Sequence, residues 1–187
     1  MTAQMADEFR YEGELYSLVG LDGEGLYTPE SFGMQPFSSC TACWRGFVMY
    51  YDCVDNELLL DAMDVNVHEA GPINGVVPSA SENFFKFRYN KLHLKTSFTG
   101  TILLAKDFIQ EMYVHMGFQR PMAFKTVLEL HIEDGEITKV DNLSELMALR
   151  RKENPDRGAM PRSPSEVDVS EWIGDTFSLD YEKPKDE

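Results

Sequence analysis

Two stretches of this chain carry apolar runs folded about a tight turn, and the rest of the sequence is arranged around them. Residues 47–53 and 58–62, FVMYYDC and LLLDA, are rich in aromatic, Val and Leu side chains. Asp55-Asn56 lies between them, where a two-residue hairpin turn needs residues that tolerate positive φ. The pattern returns at residues 127–132, with Leu128, Leu130 and Ile132 on one face and Val127, Glu129 and His131 on the other. Asp134-Gly135 closes that run with the stronger turn signal of the two. Aligned on their turns, Asp55, Asn56, Glu57 and Leu58 fall on Asp134, Gly135, Glu136 and Ile137.

Two further landmarks recur in the same order. Gly100 and Ile102 in a strand-like run can be laid on Gly13 and Leu15, and Gly117-Phe118-Gln119 with Pro121 echoes Gly33-Met34-Gln35 with Pro36. An internal duplication follows, with a first half over about 9–65, an irregular crossing over 66–91 and a second half over 92–143. The predicted fold is mainly β, a β-rich α+β domain whose duplicated hairpin unit forms a sandwich or a barrel. One C-terminal helix completes it.

Between these landmarks the pattern is local. Residues 9–19 read as one or two short strands broken at Gly13, and Leu21 to Gly25, LDGEG, as a turn. Pro29, Gly33 and Pro36 make residues 27–37 a loop across the following hairpin, while Phe84, Phe85, Phe87 and Tyr89 form an aromatic cluster that needs burial. Residues 106–115 stay open between helix and strand. Asn142 and Glu145 have capping-box spacing, so a helix is predicted over 143–152, its apolar face formed by Leu143, Leu146 and Met147. The domain therefore covers 9–152. Pro155, Gly158, Pro161 and Pro164 then mark a flexible linker, and 153–187 reads as an acidic tail with a short aromatic motif.

At 187 residues and 43% hydrophobic, the chain is long enough to bury one core. No apolar run approaches the ~20 residues of a membrane span, and the N-terminus carries no secretion signal, so a cytoplasmic location is expected. Three cysteines cannot all pair within one chain, which fits a reducing compartment. The balance of 32 acidic against 17 basic residues, net −15, repels phosphate backbones and points away from direct nucleic-acid binding. It serves solubility, attraction of a basic partner, or imitation of a nucleic acid.

Candidate chemistry is sparse. Cys40 and Cys43 have the CxxC spacing of a zinc or redox pair, but the nearest further ligands, Cys53 and His68, bring no second metal-binding spacing. Small buried thiols are the simpler expectation. No Gly-x-Ser-x-Gly elbow, HExxH or phosphate loop is present. Asp52, Asp55, Glu57, Asp61 and Asp64 read as the solvated face of a hairpin, and His131 as ordinary surface. His115, among bulky apolar neighbours, is expected to be a buried imidazole bonded to a backbone carbonyl.

The stretches ACWRGFVMYYDCVDNELLL, FTGTILLAKDF and YVHMGFQ together resemble a set of small bacterial conserved hypothetical proteins. The most specific pieces are Trp44-Arg45-Gly46-Phe47 and Val114-His115-Met116-Gly117-Phe118. The resemblance spans about 39–143. It implies a bacterial or phage origin and one duplicated β domain, and it carries no activity across.

Two functional classes remain. The first is an acidic protein-binding module, an immunity- or antitoxin-like inhibitor of a basic partner, with Trp172, Ile173, Phe177 and Tyr181 in the tail as contacts. The simpler expectation is that the tail packs back on its own domain and covers an apolar patch or a sheet edge. The second is an enzyme or metal-binding domain centred on Cys40, Cys43, His68 and His115, with Cys53 as a further zinc ligand, and it requires these side chains to converge. A structural protein of a phage or mobile element is not separable from the first.

Overall fold

Both predicted turns form as two-residue links with positive φ. Asp55 and Asn56 take φ of 51° and 65°, and Asp134 and Gly135 take 47° and 78°, the pair of left-handed residues whose twist suits a hairpin. Each turn fixes the register of its flanking strands. The computed structural model describes residues 2–81, 83–153, 176, 178 and 179. Trp172, Ile173, Phe177 and Tyr181 lie outside the described residues.

The strands are β1 (Glu8–Tyr11), β2 (Glu14–Glu24), β3 (Phe47–Val54), β4 (Glu57–Val65), β5 (Ser79–Ala80), β6 (Phe87–Tyr89), β7 (Leu94–Lys95), β8 (Thr99–Phe108), β9 (Phe124–Glu133) and β10 (Glu136–Asn142), followed by helix α1 (Ser144–Glu153). Hydrogen bonding runs β10-β9-β8-β2-β1-β3-β4, and β10 pairs back to β4, so seven strands close into a barrel. Every ladder in that circuit is antiparallel except β1 on β3.

The seam is where the two turns meet. Glu57 and Glu136, the positions equated when the hairpins are aligned, are register partners there. Leu58 N–H donates to Gly135 O at 2.8 Å and Ile137 N–H to Asn56 O at 2.7 Å. Beyond this point the free edge of β4 is taken by β7 and then β6. The second-half strands β8, β9 and β10 are consecutive neighbours, whereas β1 is inserted between β2 and β3 in the first half.

Closure needs bent strands, and three bulges supply the bend. The register shifts between Leu18 and Gly20 in β2, between Tyr50 and Tyr51 where β3 meets β4, and between Ile137 and Lys139 in β10. At the first bulge Leu18 points into the barrel and Val19 outward onto a second cluster. Inside, Phe9, Leu18, Met49, Tyr51, Leu60, Tyr89, Phe98, Ile102, Leu104 and Leu130 are all buried. The interior is filled by side chains.

Residues 21–24 do not form the expected turn; β2 runs on through Glu24. Gly23 and Gly100 face each other across the β2–β8 ladder with φ of 147° and 148°. A Cβ on Gly23 would sit 2.4 Å from Thr99 O, and one on Gly100 2.2 Å from Asp22 O. These glycines therefore permit close backbone approach within a strand rather than reversal of the chain. Gly13, equated with Gly100 by sequence, lies between β1 and β2 instead.

Residues 106–115 resolve into the end of β8 and a single 3-10 turn at Gln110–Met112. Helix α1 forms as predicted. Asn142 Oδ1 accepts the Ser144 N–H at 3.0 Å, Ser144 Oγ accepts the Val127 N–H at 3.1 Å, and Met147 docks on Val19, Leu103, Ala105 and Val127 outside the barrel. Thr176 and Leu179 also return to the barrel. Phe118 N–H donates to Thr176 O and Leu21 N–H to Leu179 O, at 2.9 and 2.7 Å. Among the described residues no helix is long and apolar enough to cross a membrane.

Candidate functional site

Strand β3 alternates sides, sending Phe47, Met49 and Tyr51 inward and Val48 and Tyr50 outward. Over its outer face lie the loop that contains the CxxC and the loop between β5 and β6. Cys43, Val48 and Phe85 form a small buried cluster beneath them, with Met5, Cys40 and Tyr50 at its edge. Three buried polar residues hold this assembly.

Asn66, 1% exposed, ties the two loops together. Its Nδ2 donates to Ser39 Oγ at 2.7 Å and its Oδ1 accepts the Lys86 N–H at 2.9 Å. Its backbone accepts the Phe37 N–H and donates to Gly46 O. With both amide groups and both backbone groups engaged, a buried Asn fixes loop position at little cost.

Asp64 has no exposed surface although the sequence places it on a solvated hairpin face. The Arg88 guanidinium meets its Oδ2 at 2.5 Å, and Tyr50 OH donates to the same oxygen at 2.9 Å. Arg88 also lies over the Tyr50 ring, 4.8 Å from its centroid. Burial, and then the Asp64 charge, push the Tyr50 hydroxyl up to about 12, so it remains a donor at neutral pH. The correction has a simple cause: Arg88 supplies the counter-charge from β6, a strand distant in sequence.

Asp7 is the third. Arg45 grips its carboxylate with both terminal nitrogens, Met49 N–H donates to Oδ1, and the guanidinium lies between the Phe47 and Phe118 rings at 4.7 and 5.4 Å. Arg45 is thus a structural anchor for the loop that carries the CxxC and Trp44.

On this pinned frame two aromatic side chains face outward: Trp44 is 49% exposed and Phe84 69%. The aromatic run at 84–89 is therefore only partly buried, contrary to expectation. Phe85 and Tyr89 are buried, but Phe84 is turned out while Ser39 Oγ holds its carbonyl at 3.2 Å. Phe84 and Phe85 lie in the bend between β5 and β6, where Phe85 enters the Cys43 cluster and its neighbour is left outside.

The other sequence candidates are dispersed. Cys43 is buried, its thiol donating to Phe47 O at 3.2 Å, and burial pushes its pKa up. Cys40 borders the same outer cluster. Cys53 belongs to the opposite, interior face of β3, where burial and then Asp52 push its thiol up to about 12. His68 is exposed and stacks on Phe37 at 4.9 Å. The structure does not bring these four together. His115 is exposed rather than buried, edge-on to Tyr113 at 4.9 Å, because residues 109–119 run over the surface and present only Met116 and Phe118 to the interior.

Two features escaped the sequence. A shallow groove of about 580 Å³ is lined by Tyr27, Phe32, Met34, Pro72, Ile73 and Leu94, with Glu69 as its charged residue. On the far side of the barrel, Glu129, His131 and Asp141 bring their ligand atoms within 4.8 Å of one another. The alternation that placed Glu129 and His131 on one face was the available signal; Asp141 joins them only through the β10 bulge.

Comparison with protein-family models, with curated proteins and with solved structures returns no match for this chain.

Proposed function

We propose that this protein is a binding module that engages a basic protein partner through the loop face carrying Trp44 and Phe84, in the manner of an immunity protein or antitoxin. The observation that carries the reading is Phe84. A large apolar side chain 69% exposed, on a loop fastened by Ser39 and Asn66, is costly to keep in water and ready to be buried by a partner. Aromatic anchors held rigid before contact lose little entropy on binding, and Trp is enriched among residues that dominate interface energies. The net charge of −15 supplies the complementary half, since it speeds encounter with a basic surface and selects against an acidic one.

The test is retention from an extract of the source cells on immobilised full-length chain, comparing intact protein with Phe84→Ser and with Leu149→Ser, an exposed residue of α1. A basic protein held by the intact chain and by Leu149→Ser, lost with Phe84→Ser and released by about 0.5 M salt, supports the reading. Equal retention by all three variants contradicts it.

A further inference from the structure

We infer that Glu129, His131 and Asp141 form a binding site for one divalent first-row transition ion of the zinc type. The inference concerns the opposite side of the barrel and does not rest on the partner-binding reading.

The β9–β10 register builds the site. Glu129 and Asp141 are direct partners on adjacent strands, and His131 lies two residues along β9, opposite Lys139. The bulge at Thr138 sets this pairing, and Thr138 Oγ1 donates to His131 O at 3.1 Å. Two carboxylates directly opposite each other repel unless a cation stands between them. Glu129 is only 6% exposed, so solvent screens that repulsion poorly.

Between the carboxylates stands one imidazole nitrogen. His131 Nε2 lies 3.0 Å from Asp141 Oδ2 and 3.2 Å from Glu129 Oε2. A single N–H points at one acceptor and serves a second only at a poor angle. A metal ion in its place is directed at all three. Zinc binds histidine nitrogen and carboxylate oxygen at about 2.0–2.2 Å, which puts adjacent ligand atoms roughly 3.3–3.6 Å apart around a tetrahedral ion. The two distances to Nε2, 3.0 and 3.2 Å, lie just inside that spacing and the third separation stays within 4.8 Å, so small rotations of the carboxylates bring all three to it.

The donor set selects the ion class. One imidazole with two carboxylates suits zinc and its neighbours, whereas calcium and magnesium favour oxygen alone. His131 and Asp141 are each about one-third exposed, at 33% and 34%, which leaves an entry path. Lys139 is the built-in competitor: its ammonium sits 2.7 Å from the same Asp141 Oδ2, and its side chain is 64% exposed.

Titration calorimetry of zinc into chelator-stripped full-length protein tests the site, with X-ray absorption on the loaded sample. The expected result is one zinc per chain, a loss of tenfold or more in affinity for His131→Ala, and no change for Cys40→Ser with Cys43→Ser. Lys139→Ala is expected to tighten binding, a gain that a misfolded variant cannot imitate. The absorption spectrum is expected to show nitrogen and oxygen neighbours near 2.0–2.1 Å and no sulfur near 2.3 Å. Absence of binding, binding indifferent to His131→Ala and Lys139→Ala, or sulfur in the first coordination sphere would each overturn the assignment.

Discussion

Arg45 meets the Asp7 carboxylate through two parallel bonds, Nη1 to Oδ2 at 3.0 Å and Nη2 to Oδ1 at 2.9 Å. Asp7 Oδ1 also accepts the Met49 N–H at 2.9 Å, so one carboxylate joins the N-terminal segment, the loop bearing Trp44 and strand β3. Breaking one side of a buried, hydrogen-bonded pair leaves the other charge stranded. Arg45→Ala is therefore expected to lower unfolding stability by about 3 kcal/mol, read from the urea midpoint. Arg45→Lys should recover only part of it, because an ammonium cannot reproduce the two-pronged geometry. An unchanged midpoint for Arg45→Ala would contradict this role.

Glu8 gives a pH signature of opposite sign to ordinary acid denaturation. Burial raises its carboxyl above the usual 4.5, with the Asp64 and Asp7 charges adding and Arg88 opposing. The folded state then holds its proton more tightly than the unfolded chain. The contribution of Glu8 is most favourable below pH 4.5 and is lost as pH rises through the higher folded-state value. Glu8→Gln should accordingly raise the melting temperature at pH 7.5 and leave it nearly unchanged at pH 4. Thermal melts of both proteins at the two pH values check this; a gain confined to pH 4 would refute the sign.

The two hairpin turns differ in one residue, and the difference is measurable. Asn56 holds φ of 65° where the matching turn has Gly135. Asn56→Gly should stabilise by about 0.5 kcal/mol by relieving left-handed strain. Gly135→Ala should cost about 2 kcal/mol or more, since its Cβ would lie 2.2 Å from Thr96 O. Denaturant midpoints that shift in the same direction for both variants would count against the turn assignment.

Thiol reactivity follows burial. Cys43 is 1% exposed with its pKa pushed up, and Cys53 is pushed up to about 12. Neither supplies thiolate at pH 8. A chromogenic disulfide reagent should therefore modify at most Cys40 rapidly in folded protein and all three cysteines in denaturant. Rapid modification of two thiols without unfolding would show that the outer cluster opens.

What the sequence disclosed was local. Both hairpins, the helix after Asn142 and the mainly β architecture follow from turn residues, alternation and capping, which act within a few positions. Turn chemistry also aligned Glu57 with Glu136, and those residues meet at the barrel seam. The site was less legible because its partners are distant in the chain. Nothing near Asp64 announces Arg88, and nothing near Asp7 announces Arg45, so Asp64 read as solvated and Arg45 only as part of a motif. His131 read as surface because period-two alternation assigns a face but not what crosses to it from β10. Phe84 was misjudged for a related reason: composition asks for burial of the whole aromatic run, while the bend before β6 buries Phe85 and leaves Phe84 outside.

The most direct test of the partner-binding account is photo-crosslinking in the source cells, with a benzophenone amino acid replacing Phe84 in one variant and Leu149 in another. The account predicts a discrete covalent adduct with one basic protein from position 84 and none from position 149. No adduct at position 84, or the same adducts from both positions, would contradict it.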